Sequence, residues 1–179
     1  KEETEIVAQQ NNLNIIKEKS LLIVDDNVEI LSFVCQLFQA NYNILSANNG
    51  EDALEIATRE LPDLIISDVI MPRKNGIELC REIKHDTLTQ HIPLIMLTSE
   101  DNVNSQLEGI SCGADDYVSK PFNAEVLKAK VATLLKNKER QRELFKNKIS
   151  HSSILGIPEN QEDAFMRKIT EIIYKNIAE

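Results

Sequence analysis

The sequence predicts an α/β fold: a three-layer, doubly wound (βα)5 arrangement with a parallel five-stranded sheet in the order 2-1-3-4-5 and a helical C-terminal extension. Two observations support this prediction. Short apolar runs alternate five times with segments of helical spacing, which is typical of a parallel sheet covered by helices on both faces. Four of these runs end in polar residues, at the strand ends where such folds bind ligands.

The first three predicted strands lie in the N-terminal half of the chain. Residues 21–24 are uniformly apolar, as expected of a buried strand, and apolar residues recur at helical spacing from Val28 onward. Residues 41–46 form a weaker strand, after which Asn49-Gly50 precedes a short helix. Residues 64–67 form the third strand, and Asn75-Gly76 marks the turn into the third helix.

Two further strands and two helices complete the predicted domain. Residues 93–97 form the fourth strand, and a helix carrying Val103, Leu107 and Ile110 is expected to stop at Gly113. Residues 117–119 form the fifth strand, and the fifth helix begins near Asn123. Its pattern continues through basic residues to about Lys148, after which we expect a break at residues 150–153, Gly156 and Pro158.

These patterns divide the chain into four predicted segments. Residues 1–19 are a polar linker, 20–137 the α/β domain, 138–160 a basic helical extension and linker, and 161–179 the start of a truncated helical domain with an unpartnered apolar stripe. The N-terminus has neither an initiator Met nor an apolar signal-peptide core. We therefore expect a fragment of a longer polypeptide.

Charge and composition exclude several classes of function. Residues 21–121 contain 6 Lys/Arg against 17 Asp/Glu, a net charge of -11, whereas residues 122–150 contain 8 against 3, a net charge of +5. An acidic body does not suit nucleic acid, but it suits a hard cation. No apolar stretch is long enough to cross a membrane, and three dispersed cysteines favour reduced thiols in the cytoplasm over a disulfide framework or a zinc site.

Polar residues collect at the carboxyl ends of the predicted strands. Asp25 and Asp26 follow the first strand and Asp68 the third, and Thr98 and Lys120 follow the fourth and fifth. Three carboxylates at one edge repel each other unless a cation lies among them. A single Mg²⁺ meets that need, because it takes carboxylate and carbonyl oxygens and keeps several waters. We predict Asp26, Asp68 and the backbone carbonyl of Ile70 as ligands, with Asp25 acting mostly through a bound water.

Such a site suits phosphoryl transfer, in which the protein positions and neutralises the transferred group. Mg²⁺ would cover one phosphoryl oxygen, the Lys120 ammonium another, and the Thr98 hydroxyl or nearby backbone N–H groups the third. The Asp68 carboxylate would attack in line and form a mixed carboxyl–phosphate anhydride. No general base is needed, because a carboxylate carries no proton to remove.

From about residue 20 to 135 the chain resembles a response-regulator receiver domain of the flavodoxin-like fold. The matching segments are residues 22–27, 62–72, 75–76, 93–99 and 113–122. The resemblance implies Asp68 as phosphoacceptor, Asp25 and Asp26 as the Mg²⁺-holding pair, and Thr98 and Lys120 as phosphate-sensing groups. It also implies that Tyr117 swings inward when Thr98 moves toward the phosphate, and that the Lys120-Pro121 bond is cis.

The resemblance also implies partners. A phosphohistidine kinase, in the same polypeptide or another, would be the donor, and the face of the fourth helix, fifth strand and fifth helix would pair two receivers or contact an output domain. Residues 164–177 resemble the first helix of an AraC-type helix-turn-helix domain, as in hybrid two-component regulators. We expect DNA binding only through an output domain missing from this chain, no membrane contact by the chain, and a cytoplasmic location even if the parent polypeptide is anchored.

The sequence leaves alternatives open. An Asp that ends a strand is usually a turn former or a helix cap. A haloacid-dehalogenase-like phosphatase also uses an Asp nucleophile and Mg²⁺, but it needs a second acid where this chain has Ile70. A pure interaction module with a bound cation is the third hypothesis. Residues 145–151 echo a kinase phosphohistidine box, but Ser152 stands where an acid is expected, so we interpret His151 as a linker residue. We expect an autocatalytic phosphoacceptor, not an enzyme.

Overall fold

The computed structural model describes residues 17–99 and 112–154, the last eight of them by their backbone alone. Five parallel strands form one sheet in the order β2-β1-β3-β4-β5, which confirms the predicted order. The strands are β1 (Ser20–Val24), β2 (Asn43–Ala47), β3 (Leu64–Asp68), β4 (Leu94–Ser99) and β5 (Asp116–Lys120). The described helices are α1 (Val28–Phe38), α2 (Gly50–Glu60), α3 (Gly76–His85) and α4 (Ala124–Ile154).

Some predicted elements lie outside the described residues. These are the helix predicted around Val103 and Ile110, most of the N-terminal linker, and the helix predicted within residues 161–179. The helix predicted to begin near Asn123 is α4. The segment boundaries at residues 19, 137 and 160 stay predictions.

The sheet separates two hydrophobic cores, because successive side chains of a strand point to opposite faces. Leu22 and Val24 of β1 face a core built with α2 and α3, which contribute residues such as Ala53 and Leu79. Leu21 and Ile23 face the other core, which is built with α1 and α4. This arrangement explains why the strands read as continuous apolar runs, and it confirms the three-layer prediction.

Three helices begin at the carboxyl edge of the sheet with an asparagine cap. The side chains of Asn27, Asn49 and Asn75 accept hydrogen bonds from backbone N–H groups in the first turns of α1, α2 and α3. Asn75 forms a reciprocal capping box with Glu78. These caps place short, defined loops around the strand ends where the candidate site lies.

Helix α4 is longer than its sequence pattern indicated. Leu127, Val131 and Leu135 pack into the core, and the helix then continues to Ile154. The break predicted at residues 150–153 was wrong, because serine costs an α-helix only about 0.5 kcal/mol relative to alanine. The chain divides into two compact units, Lys1–Lys138 and Glu139–Glu179. Among the described helices, none combines the length and apolar character of a membrane span.

Candidate functional site

Three carboxylates meet at the carboxyl edge of the sheet. Asp25 directly follows β1, Asp26 comes next, and Asp68 is the last residue of β3, the strand that pairs with β1. One oxygen of each carboxylate lies within 4.8 Å of the corresponding oxygens of the other two. Asp25 is buried, Asp68 has 13% of its side chain exposed, and Asp26 is open to solvent. The predicted acidic cluster is therefore present.

Lys120 brings its ammonium into this cluster from the far strand. Its Nζ lies 2.7 Å from Asp25 Oδ2 and 3.0 Å from Asp68 Oδ1. The second oxygen of Asp25 accepts a hydrogen bond of 2.9 Å from the backbone N–H of Asn27. One cation thus links the ends of three strands, and the peptide bond from Lys120 to Pro121 that follows is cis.

The electrostatics of the site favour an additional cation. Burial raises the pKa of Asp68; the hydrogen bond and charge of Lys120 lower it only in part, and the neighbouring Asp25 raises it further. Burial by itself lowers the pKa of Lys120, but its hydrogen bonds to Asp25 and Asp68 outweigh that effect and raise it. Lys120 therefore stays charged, while ionised Asp68 is incompletely compensated.

The donor set fits a hard divalent ion. Three carboxylates against one ammonium leave two negative charges in the cluster. Within residues 17–99 and 112–146, the Asp26 side chain makes no hydrogen bond or ion pair, so its oxygens are available as ligands. Oxygen donors at an open, negatively charged edge are what Mg²⁺ takes while keeping several waters.

Two of the remaining predicted residues, Thr98 and Ile70, lie at the same end of the sheet as the cluster. Thr98 is buried near the end of β4, beside the strand that carries Asp68, and its hydroxyl donates to the carbonyl of Ser99 at 3.1 Å. That hydroxyl is therefore engaged with its own strand in this conformation. Ile70 lies in the loop after β3 with 62% of its residue surface exposed. It thus stands at the solvent side of the acidic edge.

Gly76 holds the loop after Asp68 in place, a role that the sequence indicated only as a turn. Its N–H donates to the carbonyl of Val69 at 2.9 Å. A Cβ at this position would lie 2.0 Å from the carbonyl oxygen of Asp68. Only glycine allows α3 to begin so close to the end of β3, and this contact helps to fix the backbone that carries Asp68.

Tyr117 lies in β5, three residues before Lys120, and its ring packs against the core under α3. Its hydroxyl is buried and has no hydrogen-bond partner in the part of the chain that the structure describes. A buried hydroxyl without a partner costs about 1–3 kcal/mol. The neighbouring Cys112 thiol can compensate this hydroxyl only weakly, because sulfur is a weak hydrogen-bonding group.

A groove beside the acidic cluster was not predicted. It measures about 570 Å³ and is lined by Glu29, Ile30, Phe33, Lys120, Pro121 and Phe122. Phe33 of α1 is half exposed, and its ring centroid lies 6.3 Å from that of Phe122. The exposed apolar side chain on α1 was the available signal, but single exposed apolar residues are common, and only the fold places Phe33 next to Phe122.

Comparison with known proteins decides the family. The family model described as "Response regulator receiver domain" matches residues 21–132, which include all five strands except the first residue of β1. The chain belongs to the response regulator receiver domain family. It is thus a receiver of two-component signalling, a class of domain that accepts a phosphoryl group and interacts with histidine kinases.

Named relatives of this receiver include both kinases and transcriptional regulators. It is 41% identical over 170 residues to "Histidine kinase P4" of Formosa agariphila, covering 90% of this chain and 12% of that protein. It is 37% identical to the alkaline phosphatase synthesis transcriptional regulatory protein PhoP of Bacillus subtilis, covering 68% of this chain and 50% of PhoP. The receiver therefore spans half or less of these two relatives.

Solved receivers share the fold. The signal receiver domain of a signal transduction histidine kinase from Syntrophus aciditrophicus has a TM-score of 0.64 and 33% identity, covering 66% of this chain and 91% of that one. The chemotaxis response regulator CheY4 of Vibrio cholerae has a TM-score of 0.61 and 33% identity, covering 65% and 98%. The similarity thus covers the α/β unit that carries the acidic cluster.

Proposed function

We propose that Asp68 accepts a phosphoryl group from a phosphohistidine kinase in a Mg²⁺-dependent reaction, and that the receiver then changes conformation to control an output domain. The observation that carries this proposal is the contact of one ammonium, Lys120 Nζ, with both Asp25 and Asp68, next to the solvent-exposed Asp26. A nucleophilic carboxylate, a fixed cation and accessible oxygen ligands are then gathered at one sheet edge.

Asp68 and Lys120 have separate tasks in the transfer. An Asp68 oxygen attacks phosphorus, the P–N bond of the phosphohistidine breaks, and its electron pair remains with the imidazole nitrogen. The Lys120 ammonium, already 3.0 Å from Asp68 Oδ1, neutralises charge on the phosphoryl oxygens. Asp25 holds that ammonium with its buried carboxylate, so Lys120 approaches the reacting group in a defined orientation.

Asp25, Asp26, Asp68 and the backbone carbonyl of Ile70 are the proposed ligands of Mg²⁺. When bound, the ion supplies positive charge that offsets the carboxylates and the incoming phosphoryl oxygens. Asp25 already accepts from Lys120 and from the N–H of Asn27, which supports an indirect role through water. Asp26 is the most available protein ligand.

Thr98 and Tyr117 are the proposed switch residues. A phosphoryl group on Asp68 would draw the Thr98 hydroxyl away from the Ser99 carbonyl and increase the population of the inward Tyr117 conformer, which Tyr117 already occupies in this structure. The surface next to β5 would change with Tyr117, and it is the proposed face for a receiver dimer or an output contact. Transcription is the proposed output, through a DNA-binding domain of AraC type beyond the described residues.

The donor and the parent protein are also proposals. The alignment to "Histidine kinase P4" extends over 170 residues, beyond the receiver match, which supports a hybrid polypeptide that joins kinase and receiver. Catalytic activity would then belong to other domains of a polypeptide whose receiver lies in the cytoplasm. The apolar groove at Phe33 adjoins Lys120 and supports docking of the donor protein at this end of the sheet.

One experiment tests the acceptor role. The protein is incubated with Mg²⁺ and acetyl phosphate, and its intact mass is measured for wild type, Asp68→Asn and the control Glu55→Gln, whose exposed side chain pairs with Arg59 on the surface. We expect one phosphoryl adduct in wild type and control, none in Asp68→Asn, and none in EDTA. An adduct that persists in Asp68→Asn would contradict the proposal.

The adduct measurement, together with a phosphatase assay, separates the alternatives. A haloacid-dehalogenase-like phosphatase would turn over a phosphomonoester such as p-nitrophenyl phosphate, whereas a receiver would not. An interaction module would bind the cation without forming an adduct. Phe33→Ser tests the groove: transfer from a phosphohistidine protein should slow, while phosphorylation by acetyl phosphate should not, because the small donor needs no docking surface.

A further inference from the structure

The inward position of Tyr117 is lined by two cysteine thiols. Cys80 of α3 and Cys112, four residues before the start of β5, are 0% and 4% exposed, and both belong to the core cluster against which Tyr117 packs. The Cys80 thiol donates to the carbonyl of Cys112 at 3.4 Å. Neither cysteine is in a disulfide. We call Cys80, Cys112 and the inner face of the Tyr117 ring the thiol niche.

The niche is closed in this conformation. The Tyr117 hydroxyl is buried, and it lies close enough to the Cys112 and Cys80 thiols for both to influence its pKa. Burial raises the pKa of Tyr117, with Cys112 and Cys80 contributing, and burial also raises the pKa of Cys80. The Cys80 thiol, held neutral in an apolar core, is therefore unreactive, since the thiolate is the nucleophile.

We propose that Cys112 is a modification site gated by Tyr117. The Cys112 thiol is protected while the tyrosine lies in the thiol niche, and it reacts with small disulfides when the tyrosine turns outward. The proposal rests on the proposed function, because it makes the state of Cys112 depend on the switch. Cys112 is the expected target because it is the less buried of the two thiols and lies next to the exposed Gly113.

The chemistry is thiol–disulfide exchange. With Tyr117 outward, the Cys112 thiol loses its proton to solvent, and the sulfur attacks one sulfur of a small disulfide. The S–S bond of the reagent breaks, a mixed disulfide forms on Cys112, and the other half leaves as a thiolate. Because protein cores are close-packed, the added group and the Tyr117 ring cannot both occupy the niche. Modified Cys112 therefore holds Tyr117 outward and blocks the inward conformer.

The test measures the rate of modification by an aromatic disulfide that releases a coloured thiolate. It uses the full chain in a Cys35→Ser background, because Cys35 of α1 is half-buried and would add its own signal. Tyr117→Phe keeps the ring and should keep Cys112 protected. Tyr117→Ala removes the ring and should speed modification at least about tenfold, the factor that about 1.4 kcal/mol of lost protection produces.

A matched control excludes general unfolding. Val131→Ala creates a cavity in the core on the opposite face of the sheet, so it destabilises the domain without touching the niche. Peptide mapping by mass spectrometry locates the adduct, and Cys112→Ala should abolish it. Equal rates in Tyr117→Phe and Tyr117→Ala, equal acceleration in Val131→Ala, or an adduct on Cys80 instead of Cys112 would each overturn the proposal.

A second arm links the site to the switch. The Cys35→Ser protein is treated with Mg²⁺ and acetyl phosphate, and intact mass reports the phosphoryl adduct and the thiol adduct separately. We expect slower thiol modification in the phosphorylated protein. A phosphoryl adduct with an unchanged modification rate overturns the gating. Absence of a phosphoryl adduct contradicts the proposed function instead, and the Tyr117 variants still decide whether the niche is gated.

Discussion

Replacement of Asp68 by asparagine should stabilise the receiver in the absence of divalent ions. The substitution keeps the shape of a side chain that is 13% exposed but removes its charge. It removes one attraction, to Lys120 Nζ at 3.0 Å, and two repulsions, to carboxylate oxygens of Asp25 and Asp26 that lie within 4.8 Å. The balance between these effects and the cost of burying the charge decides the sign of the change.

Coulomb's law gives the magnitude. At an effective dielectric constant of about 20, the attraction to Lys120 is about 5.5 kcal/mol and the repulsion from the buried Asp25 is at least about 3.5 kcal/mol. Solvent screens the repulsion from the exposed Asp26 to about 1 kcal/mol, so the charge interactions nearly cancel. Burial then decides the sign, because it is the largest influence on the pKa of Asp68 and raises it. We therefore expect the free energy of unfolding of Asp68→Asn to exceed that of wild type by about 1 kcal/mol at neutral pH.

The pH dependence follows from the sign of the shift. Because the pKa of Asp68 is raised by folding, protonated Asp68 favours the folded state, and that stability is lost as pH rises through the folded-state pKa. The advantage of Asp68→Asn should therefore be small at acid pH and grow toward neutrality.

Urea denaturation in EDTA, followed by circular dichroism at several pH values, measures this difference. Saturation with Mg²⁺ should reverse it, since an ion at 100 times its dissociation constant stabilises wild type by about 2.7 kcal/mol. The control Glu55→Gln, which removes a charge from an exposed side chain in mid-helix, should change stability by less than about 0.5 kcal/mol. A less stable Asp68→Asn in EDTA at neutral pH would refute the reasoning, because it would mean that the ion pair with Lys120 outweighs the repulsions and the burial of the Asp68 charge together.

Three further predictions concern the surroundings of Asp68. Lys120→Gln should lower the free energy of unfolding by about 3 kcal/mol, because it leaves the buried Asp25 without a cation. An unchanged urea midpoint of unfolding would contradict this prediction. Tyr117→Phe should raise the free energy of unfolding by about 1 kcal/mol, because it removes a buried hydroxyl without a partner in the described residues. Urea denaturation measures the change, with Tyr42→Phe as the matched control. If Tyr117→Phe alone lost stability, the Tyr117 hydroxyl would have to make a stabilising hydrogen bond, and the prediction would be wrong. Gly76→Ala should lower the free energy of unfolding by at least about 2 kcal/mol and slow phosphorylation by acetyl phosphate, because the new Cβ would meet the Asp68 carbonyl oxygen at 2.0 Å. Phosphorylation at the wild-type rate would mean that the backbone of Asp68 does not move.

Local sequence was sufficient where an element is defined by its own residues. The runs at residues 21–24 and 64–67 read as buried strands because both faces of a parallel sheet are covered, so every position is apolar. Parallel strands in turn bring their carboxyl ends to one edge, and this rule is enough to predict that Asp25, Asp26 and Asp68 lie together.

The sequence was less informative where neighbours in space decide. Helix α4 passes through Ser150 and Ser153 although the composition favoured a break, since helix propensity is a weak preference. The groove at Phe33 could not be predicted, because the ring of Phe122 comes from the other end of the domain. The thiol niche likewise depends on packing between α3 and β5.

The sequence by itself determined the order of strands and helices and the polar residues at the strand ends, because these follow from periodicity within short segments. Only the tertiary structure decided how those residues pair. Lys120 and Asp25 are 95 positions apart, and their 2.7 Å contact exists because β5 and β1 end at the same edge of the sheet. Such distances are set by the packing of the whole domain, which no local pattern encodes.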